Sequence, residues 1–479
     1  MKPLITVERE GLSQDWFLTR AQHPVNGDWL MISLTRWPKV EDLRAKLNDR
    51  AKAEPKFRFY SLYDKVYRMD FLEAAYAQCK SNKGAPGVDR QTFEDIESYG
   101  VERFLRELAD ELKALRYRPQ PVKRVMIPKA GQPGKFRPLG IPSVKDRIVQ
   151  QAAKLLLEPI FEADFTDNAY GYRPGRSAQD AVRDVMTGLQ SGMTEVIDAD
   201  LSKYFDTIPH SELMQSIERR VSDHKVLWLI RAWLKSPVQE TNVNGKPVIT
   251  GGKKTKMGTP QGGVISPLMA NIYFRRFLKA WRDLGYERKF QSRIVSYADD
   301  FVILTKYRAR AAMEAAHRML TQIGLTLNET KTRIVCPWDD SFDFLGYKFG
   351  KRYKYGSGKA FLAPGPSKKN INKYRESIRR ETATPQTLKT VEAVAEKLNQ
   401  ITRGFWNYFC QASRTGERTD LDNYLWNSVK DWVFRKHCKL KGRERCRKSM
   451  AANRLIVRGR DIPQPQWLVN AARFVKVKS

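Results

Sequence analysis

The sequence predicts an α+β fold: a small antiparallel sheet with helices packed on one face, followed by a helical, strongly basic C-terminal region. Three observations lead there. Two short apolar runs, Ile294-Val295-Ser296 and Phe301-Val302-Ile303-Leu304, flank Tyr297-Ala298-Asp299-Asp300 and read as strands joined at a tight turn. Strand-like segments at residues 195–201 and 325–335 add to that hairpin, with amphipathic helical patterns between them. From Ser367 onward, apolar residues recur at helical spacing within a segment rich in Lys and Arg.

The chain has 479 residues, which suggests about three domains of ordinary size. A hydrophobic content of 41% is enough for sizeable cores and excludes a disordered chain. Lys and Arg number 86 against 53 acids, a net charge of +33 that points to a polyanionic partner. The charge is uneven: residues 351–479 hold 30 bases and 10 acids, a net +20 of that total. Five cysteines without a Cys-x-x-Cys pair suit a reducing compartment, and five scattered His show no zinc spacing. No run approaches the ~18 apolar residues of a membrane span, and no signal peptide is evident. The expectation is a soluble cytoplasmic protein.

Residues 1–60 have mixed character and carry no assignable role. Residues 61–80 show helical spacing, and Asn82-Lys83-Gly84-Ala85-Pro86-Gly87-Val88-Asp89 breaks it as a loop. Residues 101–115 form a strong amphipathic helix, stopped before Pro119 and Pro121. Residues 122–129 and 135–142 read as a β-hairpin with Lys129 and Arg137 near its tip. That pair either clamps a triphosphate or is a solvated basic hairpin. A helix over 144–161 follows. In Tyr170-Gly171-Tyr172-Arg173-Pro174-Gly175-Arg176-Ser177, the arginines either meet a nucleic-acid backbone or belong to a plain basic turn. Ser177 and Asp180 form a capping box for the next helix.

Alternation over residues 195–201 puts Asp198 and Asp200 on one face and Ile197, Ala199 and Leu201 on the other. Asp200, at the strand's end, is the third candidate carboxylate, whereas Asp198 and Asp206 read as caps or satisfied turn residues. Residues 257–267 are a Gly/Pro loop in which Gln261 either donates to a nucleotide or sits in a connector. A helix over 312–323 ends at Gly324, and Lys331 lies in the strand region beyond it. Phe342 to Phe349 read as a further hairpin, and three helical patterns then lead to the basic run 441–448.

Asp200, Asp299 and Asp300 share one mechanistic logic. Carboxylates hold Mg²⁺ through hard oxygen ligands, and two such ions about 3.5–4 Å apart activate a 3′-hydroxyl and stabilise leaving pyrophosphate. Lys129 and Arg137 would hold the triphosphate, and Lys331 would protonate the leaving group. Together these parts describe template-directed nucleotidyl transfer.

Over residues 61–437 the chain resembles the reverse transcriptases encoded by group II introns, also called maturases. Tyr297-Ala298-Asp299-Asp300 resembles the family's Tyr-Ala-Asp-Asp box, and Asp200-Leu201-Ser202-Lys203-Tyr204-Phe205-Asp206 its first catalytic motif. The resemblance implies that Asp200, Asp299 and Asp300 bind two Mg²⁺ ions. It also implies that Phe205 is the gate against a ribose 2′-hydroxyl and that Gln261 positions the incoming nucleotide. Ile127-Pro128-Lys129, Arg137-Pro138-Leu139-Gly140-Ile141-Pro142 and Glu329-Thr330-Lys331-Thr332 resemble the fingers hairpin and the later lysine motif. Asn82 to Asp89 resemble the extra N-terminal block. Leu398-Asn399-Gln400-Ile401-Thr402-Arg403-Gly404-Phe405-Trp406-Asn407-Tyr408 resembles the maturase thumb, with Arg403, beside Arg173 and Arg176, as a candidate RNA contact.

The resemblance implies a right-hand polymerase. Its expected organisation is an N-terminal extension (1–60), fingers and palm (61–350), a helical thumb (367–440) and a basic tail (441–479). The implied partners are group II intron RNA, an RNA template with a DNA primer, and deoxynucleoside triphosphates. No Cys-pair and His-Asn-His endonuclease module follows the thumb, so second-strand cleavage by this chain is not expected. Two other readings stand beside the active intron-encoded enzyme. One is a free-standing relative in DNA repair or phage defence. The other is a splicing-only RNA-binding protein, against which the three intact carboxylates argue.

Overall fold

The computed structural model describes residues 36–128, 134, 136–242, 246–260, 262–353, 358–412 and 416–462. The chain divides into two compact units at the Pro337–Trp338 junction.

In the larger unit, helices Pro38–Ala53, Met69–Ser81 and Val144–Glu162 pack together and bury Phe71, Leu72, Ile148, Leu155 and Ile160. The helical pattern of residues 61–80 is broken once. Arg68 adopts an extended ψ of 137° and separates Tyr63–Val66 from Met69–Ser81. Its Nε donates to Asp70 at 3.0 Å, an acid that suits the positive end of the helix. Helix Val101–Lys113 turns Leu105, Leu108 and Leu112 inward, and Leu115 ends it at φ 57°. Ser177 and Asp180 form the expected capping box on helix Ala178–Gln190.

Strands β1 (Val122–Pro128) and β2 (Phe136–Ile141) form the expected hairpin, with Ile127 opposite Arg137. Two strands not foreseen extend it. β4 (Pro237–Thr241) pairs with β1 in parallel, and β5 (Pro247–Gly251) pairs with β4 antiparallel, in the order β2-β1-β4-β5.

The second sheet is wholly antiparallel. It contains β3 (Glu195–Asp200), β6 (Ser292–Tyr297), β7 (Asp300–Thr305) and β8 (Arg333–Val335), in the order β6-β7-β3-β8. Phe301 meets Phe274 and Phe277 of helix Ser266–Asp283, with ring centres 5.5 and 5.8 Å apart. Leu304 points to the opposite face by alternation and packs against Gly188 of helix Ala178–Gln190. Helices therefore touch both faces, not one as expected. β8 is also shorter than the predicted segment. Leu327 bridges Leu201, and the chain then turns, with Lys331 and Thr332 donating to the Asn328 carbonyl at 3.1 and 2.8 Å.

In the second unit, β9 (Phe342–Phe344), β10 (Tyr347–Tyr353) and β11 (Ala360–Pro366) form an antiparallel sheet. The predicted hairpin at 342–349 thus groups with the C-terminal helices. Those helices are Lys368–Glu381, Val391–Tyr408, Gly416–Lys436 and Gly442–Arg454. They bury Ile378, Leu398, Leu425, Trp432 and Val433, and Tyr374 stacks on Phe405 at 4.4 Å.

Candidate active site

β6 and β7 are joined by only two residues, Ala298 and Asp299. Ala298 takes the left-handed φ of 61° that such a short connection requires at its first position. Asp300 then lies opposite Tyr297 on one side and opposite Asp200 of β3 on the other. Residues so opposed hold their Cβ atoms about 4.5–5.5 Å apart, and like charges there repel.

The carboxylates show that repulsion. Asp300 is exposed as a residue, while neighbouring protein atoms crowd its carboxyl group. Burial, followed by the charges of Asp299, Asp200 and Asp198, raises its pKa to about 7. Burial also raises Asp299, with Asp200 adding to it, while Lys331 and Arg137 pull in the other direction. Asp200 is partly neutralised locally. Its Oδ2 accepts from Lys331 Nζ at 2.8 Å and from Asn328 Nδ2 at 3.1 Å. The Asn328 backbone N–H donates to the Asp200 carbonyl at 2.8 Å, so the loop before β8 wraps the strand end.

This donor set fits a hard divalent cation, whose charge would relieve the repulsion. Among the described residues no three His, Cys, Asp or Glu side chains form a ready cage.

The other predicted residues fare differently. Lys129 and Gln261 lie outside the described residues. Arg137, on β2, is close enough for its charge to act on Asp299. Phe205 sits half-buried on the short helix Tyr204–Thr207, entered through Lys203 at φ 49°. Its carbonyl accepts the Thr259 N–H at 2.7 Å. Gly258 and Gly262 bracket the Gln261 position at φ 92° and 107°. A Cβ on Gly258 would lie 3.0 Å from the Asp206 carbonyl oxygen, and one on Gly262 would overlap that of Gly140. Gly258 is thus fitted against helix Tyr204–Thr207 and Gly262 against β2.

Arg173 is corrected. It is buried; its Nε reaches Glu162 at 3.1 Å and its Nη1 donates to the Thr166 and Ala169 carbonyls at 2.6 Å each. An inward guanidinium so occupied has no face for a phosphate. Arg176 stays partly exposed, paired with Asp167 at 2.8 Å and lying over the Tyr170 ring. Arg403 is exposed on helix Val391–Tyr408 of the other unit.

Sequence reasoning missed the contribution of Asp198, which adds to the charge around Asp300 and lies 3.5 Å from Arg333 Nε. Its period-two relation to Asp200 was the available signal. Asn328, Gly171 and Asn271 gave none, because their partners lie 100 or more residues away in sequence.

A carboxylate turn facing a third carboxylate across an antiparallel sheet, beside a basic hairpin, defines the palm of a nucleic-acid polymerase. Residues 127–349 match the reverse transcriptase (RNA-dependent DNA polymerase) family, and residues 371–450 match the group II intron maturase-specific domain. Protein YkfC of Escherichia coli is 36% identical over 356 residues, covering 66% of this chain and 90% of that protein. Group II intron-encoded protein LtrA of Lactococcus lactis subsp. cremoris is 35% identical over 221 residues, covering 46% of this chain and 35% of that protein. An uncharacterized 91 kDa protein in the cob intron of Schizosaccharomyces pombe is 24% identical over 467 residues, covering 81% and 56%. The chain belongs to the group II intron-encoded reverse transcriptases and maturases, RNA-directed DNA polymerases of right-hand fold. The family carries a general requirement for a divalent metal. Among the described residues, no helix is long and apolar enough to cross a membrane.

Proposed function

We propose that this protein copies an RNA template into DNA from a DNA primer, using deoxynucleoside triphosphates and two Mg²⁺ ions, and binds its intron RNA to assist splicing and mobility. The observation that carries the reading is the placement of Asp200 opposite Asp300, with Asp299 in the adjoining turn. Asp200, Asp299 and Asp300 are the proposed metal ligands. The bound ions would lower the pKa of the primer 3′-hydroxyl and balance charge on the phosphates.

The chain's own residues do the rest. The primer 3′-hydroxyl gives up its proton to solvent, and its oxygen bonds to the α-phosphorus as the bond to pyrophosphate breaks. Arg137 and Lys129 hold the triphosphate, the former as a planar fork and the latter as a point charge. Gln261 positions the incoming nucleotide, and Phe205 acts as the gate against a ribose 2′-hydroxyl. Lys331 gives up Asp200 and donates a proton to the leaving pyrophosphate.

We read residues 61–350 as fingers and palm, residues 367–440 as thumb, and residues 441–479 as a basic tail. The net +20 of residues 351–479, including exposed Arg403, is the proposed surface for intron RNA. The five free cysteines suit a reducing cytoplasm. Primer extension on an RNA template, wild type beside Asp299→Ala, tests the reading. Extension by the wild type alone supports it, and equal extension by both overturns it.

A further inference from the structure

Tyr170 and Gly171 open the basic loop expected from the sequence, but the backbone of residues 168–171 runs alongside β6. Tyr170 N–H donates to the Ser296 carbonyl and Ser296 N–H to that of Asn168, each at 2.9 Å, a short parallel bridge. The segment therefore lies directly behind the Tyr297–Asp300 turn. Gly171 touches that turn. A Cβ built on Gly171 would overlap the Ala298 nitrogen and lie 2.9 Å from the Tyr297 carbonyl carbon. Its φ is not in the left-handed region, so close approach, and not backbone conformation, requires glycine here.

Gly171 is tied from the other side. Asn271 Nδ2, on helix Ser266–Asp283, donates to the Gly171 carbonyl at 2.7 Å. That helix follows the Gly/Pro loop in sequence, so one side chain ties the helix leading out of that loop to the segment behind the carboxylate turn. Arg173 fixes the segment at its base through the Ala169 and Thr166 carbonyls and Glu162. A small cavity lined by Thr166, Gly171, Asn271, Ser296 and Ala298 lies beside this contact. The backbone of the turn thus meets Gly171 directly.

We propose that residues 168–171, with Asn271, form a buttress that sets the depth and orientation of Asp299 and Asp300; Gly171 and Asn271 are positioning residues for nucleotidyl transfer. The inference rests on the functional reading above. A displacement of about 1 Å at reacting groups costs on the order of 100-fold in rate. Groups that orient metal ligands typically contribute about 10–100-fold in metal affinity or activity.

The test uses the full chain with Gly171→Ala and Asn271→Ala. Gly188→Ala serves as a control, since its Cβ would press on the Leu304 side chain away from the turn. Single-turnover primer extension is measured across a Mg²⁺ titration, alongside template–primer affinity and amide exchange of residues 294–304. The expectation for Gly171→Ala is a rate loss of about 10–100-fold and a higher half-saturating Mg²⁺ concentration, with template–primer affinity unchanged. Asn271→Ala should move the same way by less. Gly188→Ala should lose stability but keep the wild-type rate and Mg²⁺ dependence. A wild-type rate and Mg²⁺ dependence in Gly171→Ala overturns the proposal. So does a loss of template–primer affinity equal to the loss of rate, which would make the segment a nucleic-acid contact. If Gly171→Ala does not fold, Asn271→Ala decides on the same criteria. A wild type without extension activity sinks the functional reading instead. Faster exchange at the turn in the variants then still supports the buttress, and unchanged exchange overturns it.

Discussion

Replacing Lys331 by Met separates its ion pair with Asp200 from the proton donation we propose for the same ammonium group. Lys331 Nζ lies 2.8 Å from Asp200 Oδ2, with the lysine side chain 60% exposed and that of Asp200 23% exposed. An ion pair this open contributes about 0–1 kcal/mol. Its loss should lower Tm by no more than about 2–4 °C. As proton donor to pyrophosphate, the same group would be worth about 10²–10⁴ in rate. The two effects differ by orders of magnitude, so thermal melting and single-turnover extension at saturating nucleotide resolve them. Lys331→Met should melt nearly as the wild type and extend at least about 100-fold more slowly. Lys331→Arg should restore the charge beside Asp200 but not the rate, because a guanidinium does not readily release a proton. A wild-type rate in the Met variant would refute the proton-donor assignment. Full rescue by Arg would reduce Lys331 to a counter-charge for Asp200.

Other substitutions probe the frame around the site. Gly262→Ala, at φ 107° against the Gly140 carbonyl, should impair nucleotide addition more than template–primer binding, measured by the split between kcat and KM. Arg173→Ala should cost about 3–5 kcal/mol in denaturant unfolding, because Glu162 loses its buried partner, and should leave the salt dependence of RNA binding unchanged. Arg403→Ala should leave Tm nearly unchanged and reduce the salt slope of RNA binding by about one. His210, whose Nε2 meets the Gly258 carbonyl at 2.7 Å, has its pKa lowered by burial. The unfolded chain then takes the proton more readily, so His210 supports stability above pH ~6.5 and loses that contribution as pH falls through its depressed value. The drop in Tm between pH 7.5 and 5 should shrink in His210→Gln, and an unchanged drop would count against this account.

The elements legible in sequence are those whose signal is local. The Tyr297–Asp300 hairpin announced itself through β-branched runs, and helix Val101–Lys113 through its amphipathic period. The Ser177–Asp180 box needed only a three-residue spacing. The parallel pairing of β1 with β4 joins residues more than 100 apart and leaves no local mark. The β4–β5 hairpin did have one, the Asn-Gly dipeptide between alternating runs, and it went unread. Asp200 was identified from strand alternation, but its pairing with Lys331 spans 131 residues and depends on the chain turning at Asn328. Arg173 shows the opposite failure. In sequence it is one more base in a basic loop, and only the fold shows that Glu162 and two carbonyls turn it inward. Charge composition predicted a polyanionic partner, but it does not distinguish an arginine that meets RNA from one that holds a loop.

Primer extension on an RNA template with deoxynucleotides and Mg²⁺, wild type beside Asp299→Ala, tests the central claim most directly. The account predicts DNA synthesis by the wild type, none by the variant, and RNA affinity retained by both. Synthesis by the variant, or loss of RNA affinity in step with synthesis, would contradict it by showing Asp299 to be a structural carboxylate.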